Sequence, residues 1–259
     1  MNPPASKADL EFAEAVIREA GEFTLSHFGS MELQIITKSD GSPVTVADHG
    51  AETLIRERIA EAFPDDGIHG EEHDDVAGTS GRRWIIDPID GTQAFTRGVP
   101  TYSNLLYLED EFGPSIGVIN LPALGELVAA GRGLGCLFND LPCSVSTETT
   151  LDRAVMSCSG FDFWDPDMLM RVRESGMAMR TWGDGYGYVL VATGRIEAMV
   201  DPVVQFWDVA PCQVIIPEAG GTVTTVSGDP NLALGSAVAT NGLLHADVRS
   251  VIAGNSVTR

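Results

Sequence analysis

The stretch Trp84-Ile85-Ile86-Asp87-Pro88-Ile89-Asp90-Gly91-Thr92 decides how the rest of the chain is read. Trp84 to Ile86 is an apolar strand-like run, and Pro88, with no amide hydrogen, is expected to end the pairing and turn the chain outward. Asp87 then stands at a strand end and Asp90 follows three residues later on the turn, so both carboxylates can face one side. The Ile89 carbonyl, left without a strand partner, is a third oxygen donor. Gly91-Thr92 opens a short helix whose free amides can hold a phosphate. On their own, Asp-Pro and Asp-Gly are ordinary turn pairs capping a buried strand.

Two further acidic positions shift the balance toward a cation site. Gly70-Glu71-Glu72 lies upstream, and Phe206-Trp207-Asp208-Val209-Ala210-Pro211 lies downstream, ahead of a helical pattern ending at Gly220-Gly221. Asp208 alone is either a helix N-cap or a ligand. Together Glu71, Asp87, Asp90 and Asp208 make an oxygen-only set suited to more than one magnesium ion.

With these residues in place the sequence resembles the inositol monophosphatase superfamily of magnesium-dependent, lithium-sensitive phosphomonoesterases. Trp84 to Arg97 matches its first signature and Trp207 to Gly221 its second, with Lys38 to Asp48 and Gly70-Glu71-Glu72 in the expected order before them. Ala94 replaces a frequent Asn and Pro211 a frequent Gly, and neither departure removes a ligand. The resemblance implies a layered αβαβα sugar-phosphatase fold (α/β), a homodimer, and two or three Mg2+ per site. It assigns one ion, which activates the attacking water, to Glu71, Asp87 and the Ile89 carbonyl. A second, stabilising the leaving oxygen, falls to Asp87, Asp90 and Asp208, and a third, weaker ion to Glu71. Thr92 would take a proton from the water and pass its own to Asp48. The competing account makes Thr92 a helix cap and Asp48 the N-cap of the second helix. Lys38 either positions this carboxylate or water, or is a solvated loop lysine.

Composition narrows the alternatives. With 259 residues, 44% of them hydrophobic, the chain can bury a large core as one domain or as two closely packed halves. We expect a single domain over 1–259 with halves near 1–147 and 148–259, joined through the polar stretch Cys143 to Leu151. No apolar run reaches the ~18 residues of a membrane span. The N-terminus lacks a basic segment followed by an apolar one, so a cytoplasmic protein without signal peptide is expected. Cys136, Cys143, Cys158 and Cys212 show no Cys-x-x-Cys spacing and read as reduced, mostly buried thiols. The histidines lack paired ligand spacing, which disfavours zinc. The 16 basic against 37 acidic residues give −21, which excludes a basic nucleic-acid stripe and reads as a solubilising surface. Neither lysine, Lys7 or Lys38, belongs to a P-loop. The Asp-x-x-Asp spacing argues against an aspartyl-phosphate mechanism, which uses Asp-x-Asp.

Ser6 and Asp9 resemble a capping box ahead of a first helix carrying Leu10, Ala13, Ile17, Ala20 and Phe28. After a turn at Ser39 to Pro43, a second helix should run from about Asp48 to Pro64, with Ala51, Leu54, Ile55, Ile59 and Ala62 on one face. Apolar runs at Leu105 to Leu108, Ser115 to Ile119 and Glu126 to Ala130 read as an antiparallel sheet. The run at Leu105 is either core strand or dimer interface. Beyond it, strands at Ala154 to Ser157, Ile196 to Val200, Thr222 to Val226 and Ala237 to Ala239 alternate with helices near Tyr186 to Thr193 and Val209 to Ala219. A last helix should start near Leu243. Trp84, Phe95 and Trp207 read as core packing.

Substrate choice should lie in Trp182 to Tyr188 and Met199 to Pro202. Gly183-Asp184 followed by aromatics, with Asp201, resembles the histidinol-phosphatase branch, whose leaving alcohol carries an ammonium and an imidazole. Gly183, Asp184 and Asp201 would then bind that cation beside Asp90 and Asp208. Alternatively Asp184 caps the next helix and Asp201 merely turns the chain before Pro202. Inositol 1-phosphate, or a broader set of sugar and nucleotide phosphates, is the competing substrate class. A metal-binding regulatory protein is the non-enzymatic alternative.

Overall fold

The computed structural model describes residues 2–30, 35–37 and 43–254. Helix α1 (Lys7–His27) begins at the expected cap, where Ser6 Oγ accepts from the Asp9 amide at 3.3 Å, and its buried face carries Leu10, Ala13, Ile17 and Ala20. Strands β1 (Ile35–Thr37) and β2 (Pro43–Thr45) pair antiparallel. Lys38 and residues 39–42 of the expected turn lie outside the described residues. Helix α2 (Val46–Ala62) is capped by Thr45 and not by Asp48. Asp48 is the third helical residue and its Oδ2 accepts from the Thr45 amide at 2.8 Å, while the Thr45 hydroxyl accepts from the Ala47 amide at 3.1 Å. That reciprocal arrangement satisfies two free amides where a lone Asp cap would satisfy fewer.

Next come β3 (Gly67–Gly70), β4 (Arg83–Asp90), the short α3 (Thr92–Thr96), β5 (Ser103–Asp110), β6 (Gly113–Leu121), β7 (Glu126–Gly131), β8 (Gly135–Phe138) and β9 (Leu141–Pro142). The strands form one seven-stranded sheet in chain order, parallel between β3 and β4 and antiparallel elsewhere. The second half contains β10 (Val155–Ser157), α4 (Pro166–Glu174), β11 (Ala178–Arg180), α5 (Asp184–Ala192), β12 (Ala198–Asp201), α6 (Phe206–Val209), α7 (Cys212–Glu218), β13 (Thr222–Thr224), β14 (Ala237–Thr240) and α8 (His245–Ala253). Its five strands are ordered β11-β10-β12-β14-β13. The single helix expected from Val209 to Ala219 is split into α6 and α7 around Pro211, which has no amide to continue the helical ladder. Helix α4 and edge strand β11 were not anticipated, because β11 is short and carries no alternation of apolar and polar residues.

Burial sorts these elements into five layers. Trp84, Ile86, Leu106, Leu108 and Val118 project from one face of the large sheet onto α1 and α2. Ile85, Leu105, Tyr107, Ile119 and Val128 project from the other onto Val189 and Val191 of α5 and Ile215 of α7, which also meet Met199 and Ala239 of the second sheet. Met156, Ala198, Val200 and Val238 face outward onto Val172 of α4 and Val248 and Ile252 of α8. The order is therefore αβαβα. Leu105 to Leu108 are at most 1% exposed within a single chain, so this run is core and cannot form a dimer interface. Among the described residues no helix is long and apolar enough to cross a membrane.

Close approach between layers requires a glycine in β6. A Cβ on Gly117 would lie 2.4 Å from the Pro211 carbonyl oxygen and 3.0 Å from its Cα, both backbone atoms that cannot rotate away. Gly117→Ala should therefore lower the urea unfolding free energy by about 1–3 kcal/mol with the m-value unchanged. An unshifted midpoint would show that the α6–α7 corner yields freely.

Candidate active site

Strand β4 does not end at Pro88. Asp87 pairs with Leu105 and Asp90 with Ser103, so Pro88 and Ile89 oppose the single residue Asn104 in a bulge. The missing amide of proline falls where the ladder is already interrupted, and the Asn104 side-chain amide donates to the Pro88 carbonyl at 2.6 Å. The bulge brings Asp87 and Asp90 to one place while the Ile89 side chain packs inward with Ala47, Phe95 and Tyr102. The Ile89 amide donates to Asp87 Oδ1 at 3.1 Å. The Ile89 carbonyl accepts from the Thr92 hydroxyl at 3.0 Å, which leaves it one further acceptor direction. Asp90 Oδ2 accepts from the Ser103 hydroxyl at 2.8 Å and from the Gly185 amide at the start of α5. Gly91 has φ +78° and a Cβ there would meet the Asp184 carboxylate at 2.8 Å, so the turn needs glycine on both counts. It is Gly91, and not Thr92, that occupies the cap position of α3.

Asp208 enters from the other half, on the first turn of α6, where its Oδ2 accepts from the Gln205 amide at 3.2 Å. It closes a capping box and at the same time joins the cluster, so the two readings of this residue are compatible. One carboxylate oxygen each from Asp87, Asp90 and Asp208 lie within 4.8 Å of one another. Burial pushes the carboxyls of Asp87 and Asp90 well above the usual range; the charges of Glu71, Asp90 and Asp208 add to the effect on Asp87, and those of Asp184 and Asp208 to that on Asp90. Asp208 is raised to about 7 by burial and then by Glu71. Among the described residues no ion pair reaches these three carboxylates. Clustered, desolvated oxygens without a counter-charge suit a hard divalent cation such as Mg2+.

Glu71 follows β3 and lies near enough for its charge to act on Asp87, Asp208 and Asp48. Its loop is anchored by a residue that the sequence reading missed. Fully buried Glu52 accepts from the Glu72 amide at 2.8 Å and from Arg56 Nε at 2.7 Å, and Arg56 also donates to the His73 and Asp74 carbonyls. The signal available was a charged residue on the buried stripe of α2, between Ala51 and Ile55. Asp48 is buried as well: Thr45 holds Oδ2, Oδ1 has no hydrogen-bond partner, and burial raises the carboxyl to about 6. Helix α3, which carries Thr92, packs against β2, which carries Thr45. Trp84 and Phe95 are core as expected; Trp207 is only half-buried, its ring 5.6 Å from that of His69.

Beside the carboxylates opens a cavity of ≈ 300 Å³ whose lining includes Asp90, Asp184, Asp201 and Asp208 together with Phe163 and Trp164. Asp184 has φ +56° and makes no capping hydrogen bond, so it does not serve as the cap of α5; burial and then Asp201 raise its carboxyl to about 6. Asp201 does more than turn the chain. Its carboxylate accepts from the Ser159 amide at 2.9 Å, the Ser159 hydroxyl at 3.1 Å and the Tyr188 hydroxyl at 2.7 Å. Gly183 packs so tightly that a Cβ would lie 2.3 Å from Ser159 Cα. Ser103 and Ser159 carried no motif in the sequence and are recognised only by what they touch, whereas Tyr188 lay within the stretch expected to govern substrate choice.

Residues 7–255 match the sequence profile of the inositol monophosphatase family. A histidinol-phosphatase of Chlorobaculum parvum is 45% identical over 82% of this chain and 84% of its own length. A histidinol-phosphatase of Mycobacterium tuberculosis is 39% identical over 94% and 97%. Among solved structures, extragenic suppressor protein suhB from Bartonella henselae superposes with a TM-score of 0.90 at 28% identity, covering 95% of this chain and 98% of that one.

The electrostatics of the cluster set the stability of the ion-free protein. Asp208, raised to about 7, keeps its proton in the folded state over a range where the unfolded chain, with a carboxyl near ~3.9, has lost it. This contribution to stability is complete below about pH 4, declines as the pH rises toward about 7, and changes little beyond. In chelator, Asp208→Asn should abolish that decline and be the more stable protein at about pH 8, by on the order of 1 kcal/mol or more. Urea titrations at about pH 5 and 8 measure both; parallel pH profiles for the two proteins would contradict it.

Proposed function

Because the chain belongs to the inositol monophosphatase family, we propose that it is a Mg2+-dependent phosphomonoesterase that hydrolyses L-histidinol phosphate to L-histidinol and inorganic phosphate. The observation that carries this reading is the uncompensated carboxylate cluster beside an acidic cavity that two aromatic residues also line. The cluster suits the metal ions and phosphate, and the cavity suits a cationic, ring-bearing alcohol. The similarity to two histidinol-phosphatases supports the same choice over a neutral polyol such as inositol. A cytoplasmic homodimer belongs to the proposal, with no interface assigned.

Asp87, Asp90, Asp208, Glu71 and the Ile89 carbonyl would hold the two or three ions. When bound, these neutralise the phosphoryl oxygens and lower the pKa of water. The protein's own groups do the rest. Asp87 and Asp90 are fixed by the bulge, so their carboxylates are oriented before any ligand arrives. The backbone amides of Gly91 and Thr92 would bind the phosphate. Thr92 takes a proton from the attacking water as it passes its own to Asp48, whose unpartnered oxygen and raised pKa make it a competent acceptor near neutral pH. For this the Thr92 hydroxyl leaves the Ile89 carbonyl, freeing that oxygen for an ion. Glu71, whose charge acts on Asp87, Asp208 and Asp48, would orient the attacking water. Lys38 is retained as a positioning residue.

On the substrate side, Asp184 offers its carboxylate to the ammonium, since it spends no bond on capping. Asp201, tied to Ser159 and Tyr188, holds the wall in place and adds negative potential. Phe163 and Trp164 give the imidazole apolar contact.

Asp87→Asn should reduce turnover by more than the ~10–100-fold typical of residues behind a metal ligand, and chelator should abolish wild-type activity. Turnover in chelator, or an active Asp87→Asn, would refute the metal site. Substrate choice is read from kcat/KM for L-histidinol phosphate and inositol 1-phosphate at equal Mg2+. The histidinol ester should be preferred. Asp184→Asn should lose ~10–150-fold on it, the worth of one charge-assisted contact of about 1.5–3 kcal/mol, while changing inositol phosphate much less. Equal losses on both substrates would refute the contact, and preference for the inositol ester would reassign the substrate.

A further inference from the structure

Outside the active site, two thiols face one another at the edge of the large sheet. In the β8–β9 hairpin Leu137 opposes Pro142 and Phe138 opposes Leu141, which makes Cys136 and Cys143 the next opposed pair. The Cys143 amide donates to the Cys136 carbonyl at 3.0 Å and the two sulfurs are 3.4 Å apart. Opposed, hydrogen-bonded antiparallel residues have Cα atoms ~5.5 Å apart, inside the range a disulfide spans. Cys136 is buried and Cys143 only partly so, which makes Cys143 the more accessible of the two.

We propose that Cys136 and Cys143 form a reversible dithiol–disulfide site that takes small organic disulfides, of which oxidised glutathione is the type, as oxidant. The Cys143 thiolate attacks one sulfur of the small disulfide, forms a mixed disulfide and expels the first thiolate. Cys136 then attacks the Cys143 sulfur, loses its proton and expels the second thiolate. One small disulfide is reduced to two thiols, and the two protein thiols are oxidised to one protein disulfide. The Cys136 thiol, hydrogen-bonding the Cys143 thiolate, lowers the Cys143 pKa, which favours Cys143 as the attacking group. The other two cysteines provide internal controls, since Cys158 and Cys212 are both buried and burial pushes both thiols up.

The bond would clamp the chain where it leaves the seven-stranded sheet. Two residues on, the Val145 amide donates to the Ala219 carbonyl behind α7, and Glu218 of α7 holds the Gly133 and Gly135 amides before β8. Closure therefore ties β9 covalently to β8 beside this crossing and should raise the thermal midpoint by a few degrees, reversibly with dithiothreitol.

The test is incubation of the full-length protein with oxidised glutathione, followed by intact-mass measurement and peptide mapping. The proposal expects a product two hydrogens lighter, with Cys136 linked to Cys143 and both Cys158 and Cys212 still free. Cys136→Ser should accumulate one glutathionyl group on Cys143, and Cys143→Ser should stay unmodified. A stable glutathionyl adduct on the wild type, a bond between two chains, no reaction, or modification of Cys143→Ser as fast as wild type would each overturn it.

Discussion

Several carboxylates converge at the end of β4 in surroundings that disfavour their charge, and the surrounding architecture keeps them there. Left free, such groups would separate or turn toward water, because like charges in a poorly solvated site repel. Here each is fixed by backbone geometry: Asp87 and Asp90 by the bulge opposite Asn104, and Asp208 by the capping box of α6. Each ligand candidate is thus held by bonds that exist without a metal. The energetic strain of the arrangement is what a divalent cation would relieve.

The five-layer order follows from the need to back this point from both sides. The large sheet is apolar on both faces, so α1 and α2 cover one and α5 and α7 the other. The second covering layer carries the chemistry, since the N-terminus of α5 donates the Gly185 amide to Asp90, and α6, just before α7, supplies Asp208. Pro211 separates α6 from α7 and packs on Gly117, which sets how closely Asp208 approaches β4. On the opposite side, the buried Glu52–Arg56 pair of α2 reaches the loop that carries Glu71. Parts of the site therefore hang on both helical layers, and the sheet between them fixes their separation.

The wall of the cavity is built differently from the cluster. Asp184 projects from a left-handed residue at a helix start with no capping duty, whereas Asp201 is locked by three hydrogen bonds. The first can respond to a ligand and the second forms a fixed wall. Both belong to the half of the chain that forms the five-stranded sheet, whereas Asp90, which lines the same cavity, belongs to the seven-stranded one.

The helical period of α1, the strand-length apolar runs of β5 to β7 and the alternation of the second half were readable because each rests on local pattern alone. So was the meeting of Asp87, Asp90 and Asp208, since acidic residues beside turn signals are informative without knowing what packs nearby. What depended on tertiary contact was not. Pro88 was expected to end β4, but the strand absorbs it because Asn104 accommodates an extra residue in the partner register, and no local rule supplies a partner. Thr45 displaced Asp48 as the cap of α2, and Gly91 displaced Thr92 as the cap of α3, for reasons of backbone geometry at each helix start. The run at Leu105 could serve as core or as interface until both faces of its sheet were seen to be covered. Composition and spacing determined which chemistry the chain can carry. Only the packing of two helical layers against one sheet decided which oxygens meet, because burial and proximity are properties of the whole fold.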